Sequence, residues 1–477
     1  MSNSAQTLQG LLSDPLFPDL KTYLLESTGL AYYADKDPDL AGRIGRRMQR
    51  VGAADCQAYL EVIRGGGSEL DALIASLTIG ETYFFRDRDQ FDALRDIVFP
   101  DLIERNEPRR RLRIWSAGCA TGPEPYSVAI LLKRELGHRL HGWTIDILGT
   151  DINQEFLARA RDGRFDSWAL RSINEDVKDA CFRAEGGSWV LRPPYREGVS
   201  FQYHNLVRHQ FPSLVNNLAA FDLILCRNVR IYFSSETGRR LVHQFHESLA
   251  AGGWLLVGHA EHNPEFYRQF RAVSTHRTTL YQKALGGEQP FPPLVVSPRP
   301  ETQWVANANR PSGPLLDEIE IPSSPPSPTI TSEAQPPVVA QRSGTDSGLE
   351  EVRRLADGGR WEEATRRCGE LMNEHRLSPQ LHYYLALVMD QMGRHEESEA
   401  SLRRTIYLDR GSVLAHYHLG LLRQKRGQTS GAIRSFENVL ELLAPLRVDR
   451  VLDEADGLSV ANLKELAEMQ LEVLGGL

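Results

Sequence analysis

The chain has 477 residues, 41% of them hydrophobic and 25% charged, with a formal net charge of -8. That length exceeds one typical domain, so two or three are expected, and the acidic balance argues against a general nucleic-acid binder. Five cysteines (Cys56, Cys119, Cys181, Cys226 and Cys368) form no Cys-x-x-Cys pair and read as reduced thiols, not as a disulfide framework or zinc site. The sequence opens without a basic region followed by an apolar core, and no apolar run reaches membrane-spanning length. A cytoplasmic protein without membrane insertion is the expectation.

Residues 1–88 read as a helical domain. Leu40, Ile44, Met48 and Val51 share one face at helical spacing, while Arg43, Arg46, Arg47 and Arg50 form a stripe on another. Most charge runs are solvated faces, but four arginines without an interleaved acid also suit an acidic partner surface. Leu77-Thr-Ile-Gly-Glu-Thr-Tyr-Phe-Phe-Arg-Asp87 follows, with aromatics that by themselves would be core and Arg86 a surface charge.

Residues 89–285 read as an α/β domain. Arg111 to Ser116 is an apolar strand that runs into the small residues Ala117-Gly-Cys-Ala-Thr-Gly122. A helix opens at Glu124, with Pro125 tolerated in its first turn, and a second strand, Trp143 to Leu148, ends at Gly149-Thr-Asp151. This is a nucleotide-binding βαβ pattern, in which an acid after the second strand can take ribose hydroxyls. The Gly-x-Gly-x-x-Gly fingerprint is absent, so alone the pattern says only that a ribose-containing ligand is bound. Between about 163 and 200 the alternation breaks, and Trp189-Val-Leu-Arg and Val199-Ser-Phe-Gln-Tyr203 suggest antiparallel strands of a small β-subdomain. His204-Asn-Leu206 closes that stretch. Phe221 to Cys226 is a buried strand followed by Arg227, Asn228 and Tyr232, and Gly253 to Gly258 and Thr278 to Lys283 continue the sheet.

Residues 286–347 hold half of the chain's 26 prolines and read as a disordered linker. Beyond it Gly359-Arg-Trp-Glu-Glu, Gly393-Arg-His-Glu-Glu and Gly427-Gln-Thr-Ser-Gly recur every 34 residues, the period of tetratricopeptide repeats. Ala364, Ser398 and Ala432 fall at the equivalent close-packing position. The repeats span 348–445, and a helix within 446–477 is expected to cap them. Such repeats bind protein partners on a concave surface; the plain alternative is a self-association or stabilising module.

Three blocks, Trp115-Ser-Ala-Gly-Cys-Ala-Thr-Gly-Pro-Glu-Pro-Tyr-Ser127, Gly149-Thr-Asp-Ile-Asn153 and Cys226-Arg-Asn-Val-Arg-Ile-Tyr-Phe233, resemble in order and spacing the signatures of CheR-type chemoreceptor glutamate methyltransferases. The resemblance covers about residues 15 to 285. It implies a helical N-terminal domain and a Rossmann-like seven-stranded methyltransferase domain with an antiparallel β-subdomain. It also implies S-adenosylmethionine as cofactor, S-adenosylhomocysteine as product and a methyl-accepting chemotaxis receptor as partner. Site residues carry over by position. Arg86 and Tyr232 face the methyl-transfer region, while Thr82, Arg86, Glu124, Asp151, Asn205, Leu206, Arg227 and Asn228 surround the cofactor. Arg43, Arg46 and Arg47 match a receptor-facing Arg-x-x-Arg-Arg. Glu124 is suited to the methionine ammonium and Asp151 to the ribose, an assignment that can be interchanged. The family's Asn is Gly80 here, which removes one side-chain contact. His259, Glu261 and His262 suggest a metal cluster, but a similar Gly-His-x-Glu block in the family carries no metal, so they are expected to be structural. In enterobacterial relatives a loop of the β-subdomain docks a receptor pentapeptide. The corresponding Phe182 to Leu191 is about three residues shorter, which points away from that tether.

The chemistry is consistent with these residue types. An ionised glutamate is already a nucleophile at neutral pH, so methyl transfer from a sulfonium requires alignment and a dry pocket, not a base. Two rivals remain open at this point: the same fold acting on a small molecule or nucleic acid, and an inactive scaffold working through its repeats.

Overall fold

The computed structural model describes residues 9–65, 68–275, 277–285, 294–295, 344–375, 377–448, 450–452, 455–456 and 458–475. Most of the expected linker therefore lies outside the described residues. The N-terminal domain packs α1 (Phe17–Thr28), α2 (Asp37–Val51), α3 (Cys56–Arg64) and α4 (Ser68–Leu77) around one apolar cluster. Helix α2 shows how local sequence sets an element. Asp37 and Asp39 lie in its first turn, favourable at the positive end of the helix, and Gly52 ends it in the left-handed conformation. Leu40, Ala41, Ile44 and Met48 are buried, whereas Val51, expected on the same face, is exposed in the last turn.

Helices α5 (Arg88–Ala93) and α6 (Phe99–Asn106) lead into the sheet. β1 (Arg111–Ala117) is followed by α7 (Pro123–Glu135), β2 (Thr144–Asp151) and α8 (Gln154–Asp162). The short antiparallel sheet comprises β3 (Arg164–Phe165), β4 (Phe182–Glu185) and β5 (Ser188–Leu191), with α9 (Glu175–Cys181) before β4. The main sheet resumes with β6 (Val199–Tyr203), β7 (Phe221–Cys226), α10 (Ser235–Ser248), β8 (Leu249–Val257), β9 (Arg271–Ser274) and β10 (Thr279–Gln282). A two-residue strand, β11 (Leu294–Val295), adds to one edge, giving the order β11-β9-β10-β8-β7-β1-β2-β6. β10 runs antiparallel to β8 and β9, and the other pairs are parallel. The seven expected strands are thus present. The placement of 199–203 is corrected: it is an edge strand of the main sheet, parallel to β2, not part of the β-subdomain. Its Phe201 is buried beside Tyr126 of α7, a long-range contact that a five-residue apolar run does not reveal.

The repeats form three helical hairpins, α11 (Gly344–Asp357) with α12 (Trp361–Glu374), α13 (Pro379–Gln391) with α14 (His395–Leu408), and α15 (Val413–Lys425) with α16 (Thr429–Leu443). A last helix, α17 (Val460–Val473), packs on α16. The first helix already begins at Gly344, inside the range read as linker. Ala364, Ser398 and Ala432 are all buried. The repeats are not separate from the α/β domain. Leu214, Val215, Ala219 and Ala220, in the loop before β7, are part of the same apolar cluster as the repeat helices.

Candidate functional site

The carboxyl ends of β1, β2 and β7 open onto a cavity, where ligands of open α/β sheets bind. Thr82, Arg86, Glu124, Asp151, Asn205, Leu206, Arg227, Asn228 and Tyr232 all line it. The structure therefore brings together every residue expected at the cofactor or the methyl-transfer region.

Asp151 ends β2 and is buried. Its Oδ2 accepts the amide of Ala120 at 2.9 Å and its Oδ1 accepts that of Asn153 at 2.9 Å. Ala120 sits in the left-handed region at φ 47°, which is strained for a residue with a β-carbon, so the carboxylate holds the glycine-rich turn in place. Burial pushes the Asp151 pKa up to about 6 against these amide bonds.

Glu124, on the first turn of α7, accepts Ser116 Oγ at 2.6 Å and Arg227 Nη1 at 2.8 Å. Arg227 is nearly inaccessible and heavily engaged. Its Nε donates to Gln90 Oε1 at 2.6 Å, and its Nη2 donates to the Arg86 carbonyl at 2.6 Å and to Asp87 Oδ2 at 2.9 Å. Its guanidinium is a strut that ties the start of α7 to the 78–87 strap. Phe85 and Asp87 in that strap also have positive φ, 54° and 60°, and the amide of Phe85 donates to Ser127 Oγ at 2.9 Å.

Asn205 is likewise occupied, donating to the Ser27 carbonyl at 2.8 Å and accepting the amides of Val207 and Arg208. It fastens the end of α1 to the α/β domain. Tyr232 stands edge-on to Tyr32, centroids 6.0 Å apart, and burial raises its pKa against the opposing charge of Arg86. Arg86 donates from Nη1 to the Glu81 carbonyl at 2.9 Å and stays half-buried in the cavity wall.

The arginines of α2 do not form one uniform stripe. Arg43 donates to the Ser76 carbonyl and, from Nε, to Asp39 at 3.1 Å. Arg47 pairs with Glu69, its Nε 3.0 Å from Oε1. Both are tied into their own domain by residues of α2 and α4, while Arg46 and Arg50 remain exposed.

Several lining residues escaped the sequence. Thr28, Leu30, Tyr32 and Tyr33 of the N-terminal domain wall the cavity, as do Phe156 and His204. No local signal marks them, because folding brings them from distant segments. Glu261 is the clearest organiser of the site. Fully buried, its carboxylate accepts the amides of Gly258 at 2.7 Å, Asn228 at 2.8 Å, Val229 at 2.9 Å and Ile231 at 3.3 Å. It shapes the turn that carries Asn228 and Tyr232, in accord with the expected structural role. Among the described residues, no three metal-ligating side chains converge. Cys119 and Cys226 are buried, and desolvation pushes both thiols well up.

The donor set fits an adenosyl-sulfonium cofactor. Two buried polar atoms on the cavity wall, Asn228 Oδ1 and His204 Nε2, have no hydrogen-bond partner among the described residues. Such buried polar atoms are costly unless a ligand or water satisfies them. His204 is held neutral, its pKa pulled well below the imidazole range by burial.

Comparison with known proteins agrees with this geometry. The profile "CheR methyltransferase, SAM binding domain" matches residues 80–279, and "CheR methyltransferase, all-alpha domain" matches 15–78. A "Chemotaxis protein methyltransferase" of Listeria innocua is 38% identical over 200 residues, covering 42% of this chain and 72% of that protein. "Chemotaxis protein methyltransferase 2" of Vibrio cholerae is 31% identical, covering 58% and 96% respectively. The "Probable biofilm formation methyltransferase WspC" of Pseudomonas aeruginosa is 27% identical over 396 residues, covering 82% of this chain and 90% of its own. With the helical domain, the sheet order and the strand-end cavity all in place, the chain belongs to the CheR methyltransferase family and uses S-adenosylmethionine as methyl donor.

Proposed function

We propose that this protein transfers the methyl group of S-adenosylmethionine to glutamate side chains of methyl-accepting chemotaxis receptors, forming glutamyl methyl esters in signal adaptation. The observation that carries the reading is the gathering of Arg86 and Tyr232 beside Glu124, Asp151 and the unsatisfied Asn228 Oδ1 in one cavity. The cofactor supplies an electrophilic methyl group on a sulfonium. A substrate carboxylate oxygen forms the new bond to carbon, the carbon–sulfur bond breaks, and its electron pair stays on sulfur. The protein's task is alignment and exclusion of water.

Arg86 can hold the substrate carboxylate through paired, charge-assisted hydrogen bonds. Tyr232, its pKa raised, stays a phenol and donates. Glu124 and Asn228 suit the ammonium of the cofactor's amino-acid end, Asp151 its ribose hydroxyls, and Leu206 its base. Thr82 lies between the two ends on the strap. Arg227 acts through Glu124 and the strap. No base is required, consistent with a neutral, buried His204.

On α2, Arg46 with Arg50 is the surface we assign to the acidic receptor, with Arg43 and Arg47 shaping it from behind. The β4–β5 hairpin closes through Gly186 and Gly187, both at positive φ, as a two-residue turn does. That tight turn supports methylation without a pentapeptide tether. We place the enzyme in the cytoplasm, where receptor signalling domains lie. No described helix is long and apolar enough to cross a membrane. A relative matching 82% of this chain is named for biofilm formation, which favours a surface-behaviour pathway, with a protein of that pathway on the repeats.

Calorimetric binding of S-adenosylhomocysteine, with Asp151→Ala as control, tests the cofactor site. Micromolar affinity lost by at least roughly a hundredfold in the variant is expected, since a buried charged acceptor is removed. Tritiated methyl transfer to candidate receptors should then release methanol in alkali. A folded protein that binds no cofactor analogue overturns the proposal.

A further inference from the structure

Gly80 lies in the strap between the helical domain and the cavity, and its backbone does not require glycine: its φ is not positive. What excludes a side chain is space. A β-carbon placed there would lie 2.7 Å from Cε2 of Phe156. Phe156 is on the first turn of α8, five positions after Asp151, and its half-buried ring lines the cofactor cavity beside Ile152 and Ile79. The local frame is well fixed. Asn153 caps α8 by accepting the Phe156 amide at 3.1 Å, and its Nδ2 donates to Thr78 Oγ1 at 2.7 Å, joining the helix to the strap on one side of the Gly80–Phe156 contact.

A side chain at 80 and an aromatic ring at 156 therefore compete for one volume, and this chain fills it from the helix. We infer that Phe156 is a cofactor-positioning residue. Its ring forms an apolar wall at the nucleoside end of the site, next to the ribose acid Asp151, and replaces by surface contact what a polar side chain at position 80 would supply by hydrogen bonding. Gly80 and Phe156 then act as one size-coupled pair that sets how tightly the nucleoside is gripped. This rests on the cofactor reading proposed above.

The test is calorimetric titration of the full chain with S-adenosylhomocysteine and with 5′-methylthioadenosine, which lacks the amino-acid end. Phe156→Ala should weaken both ligands in parallel by roughly tenfold, the scale of losing one aromatic contact. Phe156→Leu, which keeps most of the packing, should weaken both by about threefold. Gly80→Asn alone should lose affinity at least as severely, and Gly80→Asn with Phe156→Ala should recover most of it. Thermal unfolding without ligand monitors the fold. A ring that merely packs the strap would lower the unfolding temperature of Phe156→Ala while leaving both affinities within twofold of wild type, and that outcome overturns the inference. So do a Gly80→Asn protein that binds normally, a double variant no better than Gly80→Asn, or loss confined to the longer ligand. Absence of binding by the wild type would overturn the cofactor reading and this inference together, whereas normal wild-type binding with an indifferent Phe156→Ala overturns only the latter.

Discussion

At its carboxyl end β1 feeds a cavity built of turns, backbone amides and strained residues; at its amino end the same strand presents two arginines to the repeats. Arg111 pairs with Asp146 and donates to the Gln391 carbonyl at 2.8 Å. Arg113, buried, donates to the carbonyls of Ala219 at 2.9 Å and Asn217 at 3.0 Å and to Gln391 Oε1 at 2.7 Å. Burial and the neighbouring Arg111 lower its pKa to about 10, still charged at neutral pH. Around them Ser213 Oγ donates to Asp456 Oδ2 at 2.5 Å and the amide of Leu214 to Asp357 Oδ1 at 2.7 Å. The catalytic end leaves polar atoms unsatisfied and spends stability on shape. The docking end also leaves Asn216 Oδ1 and His418 Nε2 without a partner among the described residues and holds Asn217, Ala220 and Asp456 at positive φ, but it buries its loop in the apolar cluster of the repeats. Strain and open polar atoms thus occur at both ends; what separates them is that the dock shares one apolar cluster between the loop before β7 and the repeat helices, whereas the residues of the other end converge on the strand-end cavity.

Four experiments bear on this contrast. The largest effect is expected at Glu261, whose carboxylate serves four amides: Glu261→Ala should cost about 3 kcal/mol or more in urea unfolding and also weaken S-adenosylhomocysteine, because the Asn228–Tyr232 turn loses its anchor. Full affinity in a folded Glu261→Ala protein would break the link between the carboxylate and the site. Next, Arg113→Met should lose about 2 kcal/mol by orphaning its carbonyl partners, seen as faster hydrogen exchange in α13 and in the loop before β7, with cofactor affinity unchanged within twofold. Loss of affinity there would mean the two ends of β1 are coupled.

Third, Asp151, the ribose partner in our proposal, has a raised pKa of about 6 and would have to be ionised to accept the hydroxyls. S-adenosylhomocysteine should bind roughly tenfold more weakly at pH 5 than at pH 7, and Asp151→Asn should flatten that slope. Because the folded pKa lies above the unfolded value, the same group stabilises the fold at low pH and loses that contribution as pH rises through 6. The smallest effect is at the dock. Burial raises Asp357 to about 7, with Asp456 and Glu350 adding repulsion and Arg353 and the Leu214 amide opposing it. Its contribution is present at low pH and lost as pH rises through 7, so α11 should exchange slightly faster at pH 8 than at pH 5.5 after intrinsic correction, and Asp357→Asn should remove the difference.

Much of the site was legible because its chemistry sits in short contiguous blocks: Gly118 to Glu124, Gly149 to Asp151 and Arg227 to Tyr232 are each one turn at a strand end. What the blocks conceal is division of labour. Arg227 looks like a ligand contact but is consumed by Gln90, Glu124 and Asp87, partners far away in sequence. Arg43 and Arg47 look like a free stripe until Ser76 and Glu69 arrive from another helix. Glu261 was expected to be structural, but the four amides it serves were not visible. The repeats were visible through their period, yet their dock was not, since Arg113, Leu214, Asp357 and Gln391 share no local pattern. β6 was misassigned for the same reason.

The wall contributed by Thr28, Tyr32 and Tyr33 has a thermodynamic consequence. The N-terminal domain expected to face the receptor also walls the cavity, and Asn205 ties that domain to the sheet. Any partner that favours this wall as it stands must tighten the proposed cofactor by the same factor by which the cofactor tightens the partner. Receptor occupancy and methyl-donor supply would then be read by the enzyme as a product of two signals instead of one.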